Sequence, residues 1–454
     1  MKEVRILSAT GMLGSGFKES SMEKGMSWNP DFIGCDSGTT DFGPSCLGSG
    51  KSNFSIEAMR RDLRLIITNA RRKGIPAIIG SAGTAGADVH VQRLVKIVED
   101  IAASESLHFK LGIIYCEQDK AYLKKMLAAG KIKPLSNAPT ITNETIEKSE
   151  HIVGMAGIEP YIEAVENGAD VVIAGRSSDT SIYAAIPMMR GIDPGPIWHA
   201  AKILECGAAC VSQRKYPDCM FGVVNDEGFT MEPPNEEYIC TPISVASHML
   251  YENSSPYELV EPSGILDTRK AHYTALSDRA VKVTGSHFVP KKLTIKLEGA
   301  EKVGYQSIVL GGVRDPFILR QLDSWFEGML IATKDRFTAI YGAEIHRKYS
   351  LQLRVYGRNG SMGKMESDCQ LGHEVFVIIE ITAESQELAS SLAKSASHIT
   401  LHYPIPEWSG LITGFAYPYS PSEIDRGPVY QFNLNHIAEP DFPNEMFRME
   451  YRKL

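Results

Sequence analysis

A chain of 454 residues is too long for one compact core, so two or three domains are expected. Its composition, 43% hydrophobic and 22% charged, is ordinary for a globular protein and excludes a disordered or fibrous chain. The 47 Lys and Arg against 55 Asp and Glu give a net charge of −8, the wrong sign for coating nucleic acid, though a local positive pocket stays open.

In chain order, the N-terminal segment lacks the long apolar region of a signal peptide and reads as a first strand, Val4 to Ser8. A glycine loop follows at Gly11, Gly14 and Gly16. Asp31 to Gly34 is a second strand, ending at Cys35-Asp36-Ser37-Gly38. Ile56, Met59, Leu63, Ile66 and Ala70 then share one helical face, with Ser55 as N-cap and Gly74 as C-terminal glycine. Ile75 to Ile79 is a buried strand leading into Gly80-Ser81-Ala82-Gly83-Thr84.

The rhythm repeats. Helix 88–104 precedes strand Leu111 to Tyr115, and helix 118–129 precedes the loop at Ser136-Asn137. Strand Ile152 to Met155 leads to a helix with Pro160 near its start and Gly168 after its end. Asp170 to Ala174 then delivers Arg176-Ser177-Ser178-Asp179. Such alternation predicts an α/β fold, a mainly parallel sheet with helices on both faces.

After about residue 215 the pattern changes to short strands and many prolines. Lys292 to Leu297 alternates like a half-buried strand, followed by helix 315–331 and strands at 351–355 and 375–381. A helix over about 384–397 and an ordered loop over 403–430 complete the tail, a smaller α+β domain. The expected domains are 1–215, a ligand-binding α/β domain; 216–345, a second domain completing the core; and 346–454, the small α+β domain. Eight cysteines at irregular spacing, Cys369 among them, predict reduced thiols in the cytoplasm. No apolar stretch approaches the roughly 20 residues of a membrane helix.

Ligands of open parallel sheets bind beyond the carboxyl ends of the strands. The candidate binding residues there are Gly14, Gly16, Ser37, Thr39, Thr40, Ser81, Gly83, Thr84, Asn137, Arg176, Ser177 and Asp179. Glycine N–H groups and hydroxyls are short donors for an anion, although turns and caps favour the same residues. Arg176 could clamp a carboxylate in a bidentate manner, with Asp179 orienting it. Asp36 and Asp41 share one loop and could act as acid and base, with Mg²⁺ between them as the alternative to having no cofactor. His248, near a helix start, is the third candidate proton carrier. Asp36 lies 20 residues beyond Gly16, as in a dinucleotide site, but the glycine spacing is not that of the fingerprint.

Taken together, several stretches resemble the acyclic terpene utilisation family. They are Gly157 to Pro160, Glu163 to Asp179, Leu204 to Ala208, Ser244 to Glu252, Tyr257 to Asp267 and Val281 to Gly285. The resemblance covers roughly residues 5–330 and departs from the family's first loop at Gly16-Phe17-Lys18-Glu19-Ser20. It implies a catabolic setting, branched carboxylic acids or their CoA thioesters as substrates, and a ferredoxin-like C-terminal domain.

The leading expectation is a catabolic enzyme acting on a small carboxylic acid or acyl-CoA by acid–base chemistry, as a hydro-lyase, lyase or isomerase. The alternatives are a non-catalytic subunit that binds acyl-CoA or a partner, and an NAD(P)-dependent oxidoreductase. The expected partners are a small anionic substrate and further copies of the chain, with or without a small partner subunit, and neither nucleic acid nor membrane.

Overall fold

The structure is a computed structural model that describes residues 2–368, 370–405 and 413–454. Cys369 and part of the expected loop 403–430 lie outside the described residues. Two compact units are present: residues up to Glu301 together with Phe432–Leu454, and Lys302–Gln431. Residue 215 thus falls inside the first unit and residue 345 inside the second.

The first unit is built on a ten-stranded sheet. Its middle runs Glu3–Ser8, Phe32–Asp36, Ala77–Gly80, Val171–Ala174, Lys110–Tyr115, every neighbouring pair parallel. These strands are apolar at nearly every position because both faces are covered. Successive side chains point to opposite faces, so each strand feeds two cores. Ile6, Phe32, Ile78 and Val172 pack with Tyr161, Ile182 and Trp198. Leu7, Ile33, Ile79 and Ile173 pack with Leu63, Ile66, Leu94 and Val98.

The expectation of a mainly parallel sheet needs correction: the sheet is mixed. Met220–Asn225, Gly228–Glu232, Val281–Thr284 and His272–Ala275 continue it beyond Glu3–Ser8, all antiparallel. Arg448–Lys453 pairs antiparallel with Lys110–Tyr115 at the other edge. The proline-rich stretch after 215 therefore adds strands to the same sheet. Its hairpin-like short strands need no crossover helix, which is why no helical rhythm announces them. A three-stranded antiparallel sheet, Glu258–Glu261, Gly264–Asp267 and His287–Pro290, also belongs to the first unit.

Local signals mark several boundaries. Helix Ile56–Lys73 begins at Ser55, whose hydroxyl accepts from the Ala58 N–H at 3.2 Å, and ends at Gly74 with φ of 69°. Helix Asp88–Ser104 occupies the span its periodicity predicts.

The second unit is a smaller α+β layer. Tyr349–Tyr356 and Val375–Ala383 pair antiparallel, and Tyr305–Val313 pairs with the latter. Helices Leu322–Tyr341 and Gln386–Leu401 bring Trp325, Phe337 and Leu392 onto Val309, Val377 and Ile381. Among the described residues, no helix is long and apolar enough to cross a membrane.

Candidate functional site

Three parallel strands end in loops that are stitched to one another. The Ser37 N–H donates to the Gly80 carbonyl at 3.0 Å, and the Ser81 N–H to Gly175 at 2.9 Å. The Thr84 N–H donates to Ser37 at 3.1 Å, and the Arg176 N–H to Gly86 at 3.2 Å. The approach is so close that a Cβ on Gly38 would stand 2.1 Å from the Thr84 carbonyl oxygen. One on Gly86, whose φ is 70°, would stand 2.1 Å from the Arg176 nitrogen. Glycine is required at both positions for the loops to touch.

These loops place Asp36, Ser81, Arg176 and Asp179 together. Arg176, 6% exposed, donates through Nε to Glu298 at 3.0 Å and through Nη1 to Ser81 Oγ at 3.3 Å, and lies 3.7 Å from Asp179. Ser81 Oγ in turn donates to Asp179 at 3.3 Å. The guanidinium is thus engaged by the protein's own acids. Against the cost of burial, Arg176 and Lys296 hold Glu298 down at about 2.

Asp36 differs. It is 4% exposed; its Oδ2 accepts from the Gly38 N–H at 3.3 Å, but its Oδ1 is buried without a partner. Burial, and then the charge of Asp179, push its pKa well above the usual carboxylate range, and burial raises Asp179 too, against the pull of Arg176.

Asp36 and Asp179 face a chamber of about 230 Å³ with Asp41, Glu205 and Glu252; Thr39, Phe42, Cys206 and Tyr251 complete much of the wall. Lys202 reaches Glu205 at 2.5 Å, both residues buried. Burial lifts Glu205 to about 8 against the pull of that ammonium. Burial and the neighbouring Asp41 lift Glu252 to about 7. Behind this wall Glu261 accepts hydrogen bonds from Ser178 at 2.6 Å and Thr180 at 2.7 Å, and burial still raises it to about 7.

Gly11, Met12, Phe42, Cys206 and Tyr251 also line a second cavity, a groove of about 880 Å³. Its wall is largely apolar, with Phe54, Val211 and Ile243, and carries the polar residues Ser15, Arg214 and His248. His248 sits in helix Pro242–His248, 6% exposed, its ring 5.8 Å from that of Tyr251. Burial and the charges of Lys202 and Arg214 lower it to about 4, so it is neutral.

The other sequence candidates lie as follows. The Gly14 and Gly16 N–H groups donate to Asp62 at 2.9 and 3.1 Å, so this loop's donors are already used. Ser37 Oγ accepts from the Gly83 N–H at 3.3 Å, and Thr84 Oγ1 from the Asn53 N–H at 3.0 Å. Thr39 accepts from the Asp41 N–H at 3.1 Å, and Thr40 donates to Glu298 at 3.4 Å. Ser177 bonds the Tyr161 hydroxyl at 2.6 Å. Asn137 is not brought to the chamber. It is exposed, and the preceding strand Ile132–Pro134 pairs with His436–Ala438, outside the ten-stranded sheet. Among the described residues, no three His, Cys, Asp or Glu side chains are grouped to hold a metal ion.

Sequence reasoning by itself missed Glu205, Glu252, Lys202, Arg214 and Glu298. Glu205 and Glu252 stand within segments that carry the family resemblance, which was the available signal.

Fold and site together define an α/β protein with an acidic chamber at the carboxyl ends of its parallel strands, opening beside an apolar groove. Residues 48–211 and 224–415 match the family model described as acyclic terpene utilisation family protein AtuA, and the chain belongs to that family. The comparisons with curated proteins and with solved structures find no match. Arg176, Asp179, Glu205, Glu252 and Glu298 fall within the matched stretches, whereas Asp36, Asp41 and Arg214 fall outside them.

Proposed function

We propose that this chain is a catabolic enzyme that adds or removes water, or shifts a double bond, on a branched carboxylic acid or its CoA thioester. The observation that carries the reading is the wall shared by groove and chamber. An apolar chain lying in the groove would bring one of its carbons against the Asp36 and Asp179 carboxyls. The family's link to terpene use supports a branched chain.

Two carboxyls in unlike surroundings can divide acid and base roles between them. Asp36 is the acid: burial favours its protonated form, and its Oδ1 has no protein partner to hold the proton back. Asp179 is the base: burial raises it as well, but Arg176 and the Ser81 hydroxyl favour its charged form. In a hydration, Asp36 gives its proton to one alkene carbon, water adds to the other, and Asp179 takes the proton that water loses. Neither this step nor its reverse transfers electrons to a cofactor. Asp41 and Glu252 would return protons from solvent. His248, neutral at physiological pH, would serve as groove wall rather than as proton carrier.

The test is a thermal-shift screen with branched carboxylates and acyl-CoAs, followed by NMR assay of turnover. A ligand at 100 times its Kd should stabilise the chain by about 2.7 kcal/mol. Asp36→Asn should lower kcat by about 10²- to 10⁴-fold with little change in KM. An unchanged kcat in that variant, or no shift with any such ligand, would overturn the reading.

A further inference from the structure

We propose that the ligand binds with its charged head outward: the carboxylate or thioester-bearing end rests at Arg214, and the distal, uncharged end of the chain enters the carboxylate chamber. This rests on the function proposed above and names the class of substrate more closely. It is an amphiphile whose reacting double bond or hydroxyl lies far from its acid group.

The argument is one of charge. The chamber is lined by five carboxyl groups, Asp36, Asp41, Asp179, Glu205 and Glu252, and by no Lys, Arg or His. The two cations behind it are committed, Arg176 to Glu298 at 3.0 Å and Lys202 to Glu205 at 2.5 Å. An entering carboxylate would lose its water among acids that burial and one another's charge already push toward protonation, with no free cation to receive it. An alkene meets neither penalty, and a hydroxyl can offset its lost water by hydrogen-bonding to the chamber's carboxyl groups.

The groove has the opposite character. Arg214 is the one residue of its lining with a formal charge at neutral pH, His248 being neutral. Arg214 is exposed and has no ion pair among the described residues, so its donors are free for a carboxylate or a phosphate. Phe42 and Tyr251, shared by groove and chamber, and Phe54 in the groove suit an apolar chain.

Calorimetric titration of the full chain with four matched ligands tests the orientation. They are a branched monocarboxylate, the corresponding alcohol, the same acid with a hydroxyl at its far end, and the same acid with a second carboxylate there. The far-end hydroxyl should be tolerated, and the second carboxylate should weaken binding at least tenfold. Arg214→Ala should weaken the monocarboxylate roughly ten- to a hundredfold and leave the alcohol unchanged. Equal or tighter binding of the dicarboxylate, or no effect of Arg214→Ala on the acid, would overturn the orientation while leaving the proposed function standing. Failure of all four ligands to bind would overturn both. An unchanged circular dichroism spectrum and Tm will show that Arg214→Ala, a surface change, is folded.

Discussion

Arg176 with Glu298 in the first unit, and Arg354 with Glu380 in the second, are the same chemical pair at nearly the same distance, 3.0 and 2.8 Å. The side chains of the first pair are each 7% exposed; those of the second are 49% and 17% exposed. Water screens the second and leaves it a modest contribution. The first has given up its hydration, so each partner depends on the other. The contrast separates a charge that decorates a strand from one that fixes the loops around a chamber.

Breaking the buried pair is expected to have the largest effect. Arg176→Met leaves Glu298 buried with its guanidinium partner gone and should cost about 3–5 kcal/mol in chemical denaturation. A loss below about 1 kcal/mol would erase the distinction between the two regions.

A pH titration of stability sharpens the comparison next. The folded-state pKa of Glu261, about 7, lies above its ordinary 4.5, so the stability it contributes is full below pH 4.5 and lost as the pH rises through about 7. At about 1.4 kcal/mol per tenfold change in proton affinity, that loss is roughly 3 kcal/mol. Glu205, raised to about 8, acts in the same direction. Glu298 acts in the opposite one, its contribution lost as the pH falls from its ordinary 4.5 through about 2. Glu261→Gln should therefore flatten the decline of Tm between pH 5 and 8; an equally steep decline would exclude this glutamate as its source.

The smallest effect belongs to the exposed pair. Arg354→Ala should change stability by about 0.5 kcal/mol or less, fading further in high salt. A larger loss would mean that the second unit relies on its surface charges more than their exposure implies.

Signals local in the chain were legible. Ser55 and Gly74 bracket a helix, and the strand ends Asp36, Ser81 and Arg176 do meet. What the sequence did not reveal was pairing between distant segments, because strand propensity does not name a partner. Met220–Asn225 joins the sheet beside Glu3–Ser8, while Ile132–Pro134 leaves it for His436–Ala438 and takes Asn137 away. Glu298 stands 122 residues beyond Arg176, in a strand whose alternation says nothing of a buried ion pair. The acids opposite Asp36 come from helix ends and loops for the same reason: Glu205 follows Pro194–Leu204, and Glu252 follows Pro242–His248.

Arg448–Lys453 takes over the edge of the large sheet by pairing with Lys110–Tyr115. Without it the edge would be the apolar run Leu111 to Tyr115. Unpaired strand edges recruit other chains and charge on them discourages this, so Arg448, Glu450, Arg452 and Lys453 exchange an adhesive border for a repellent one.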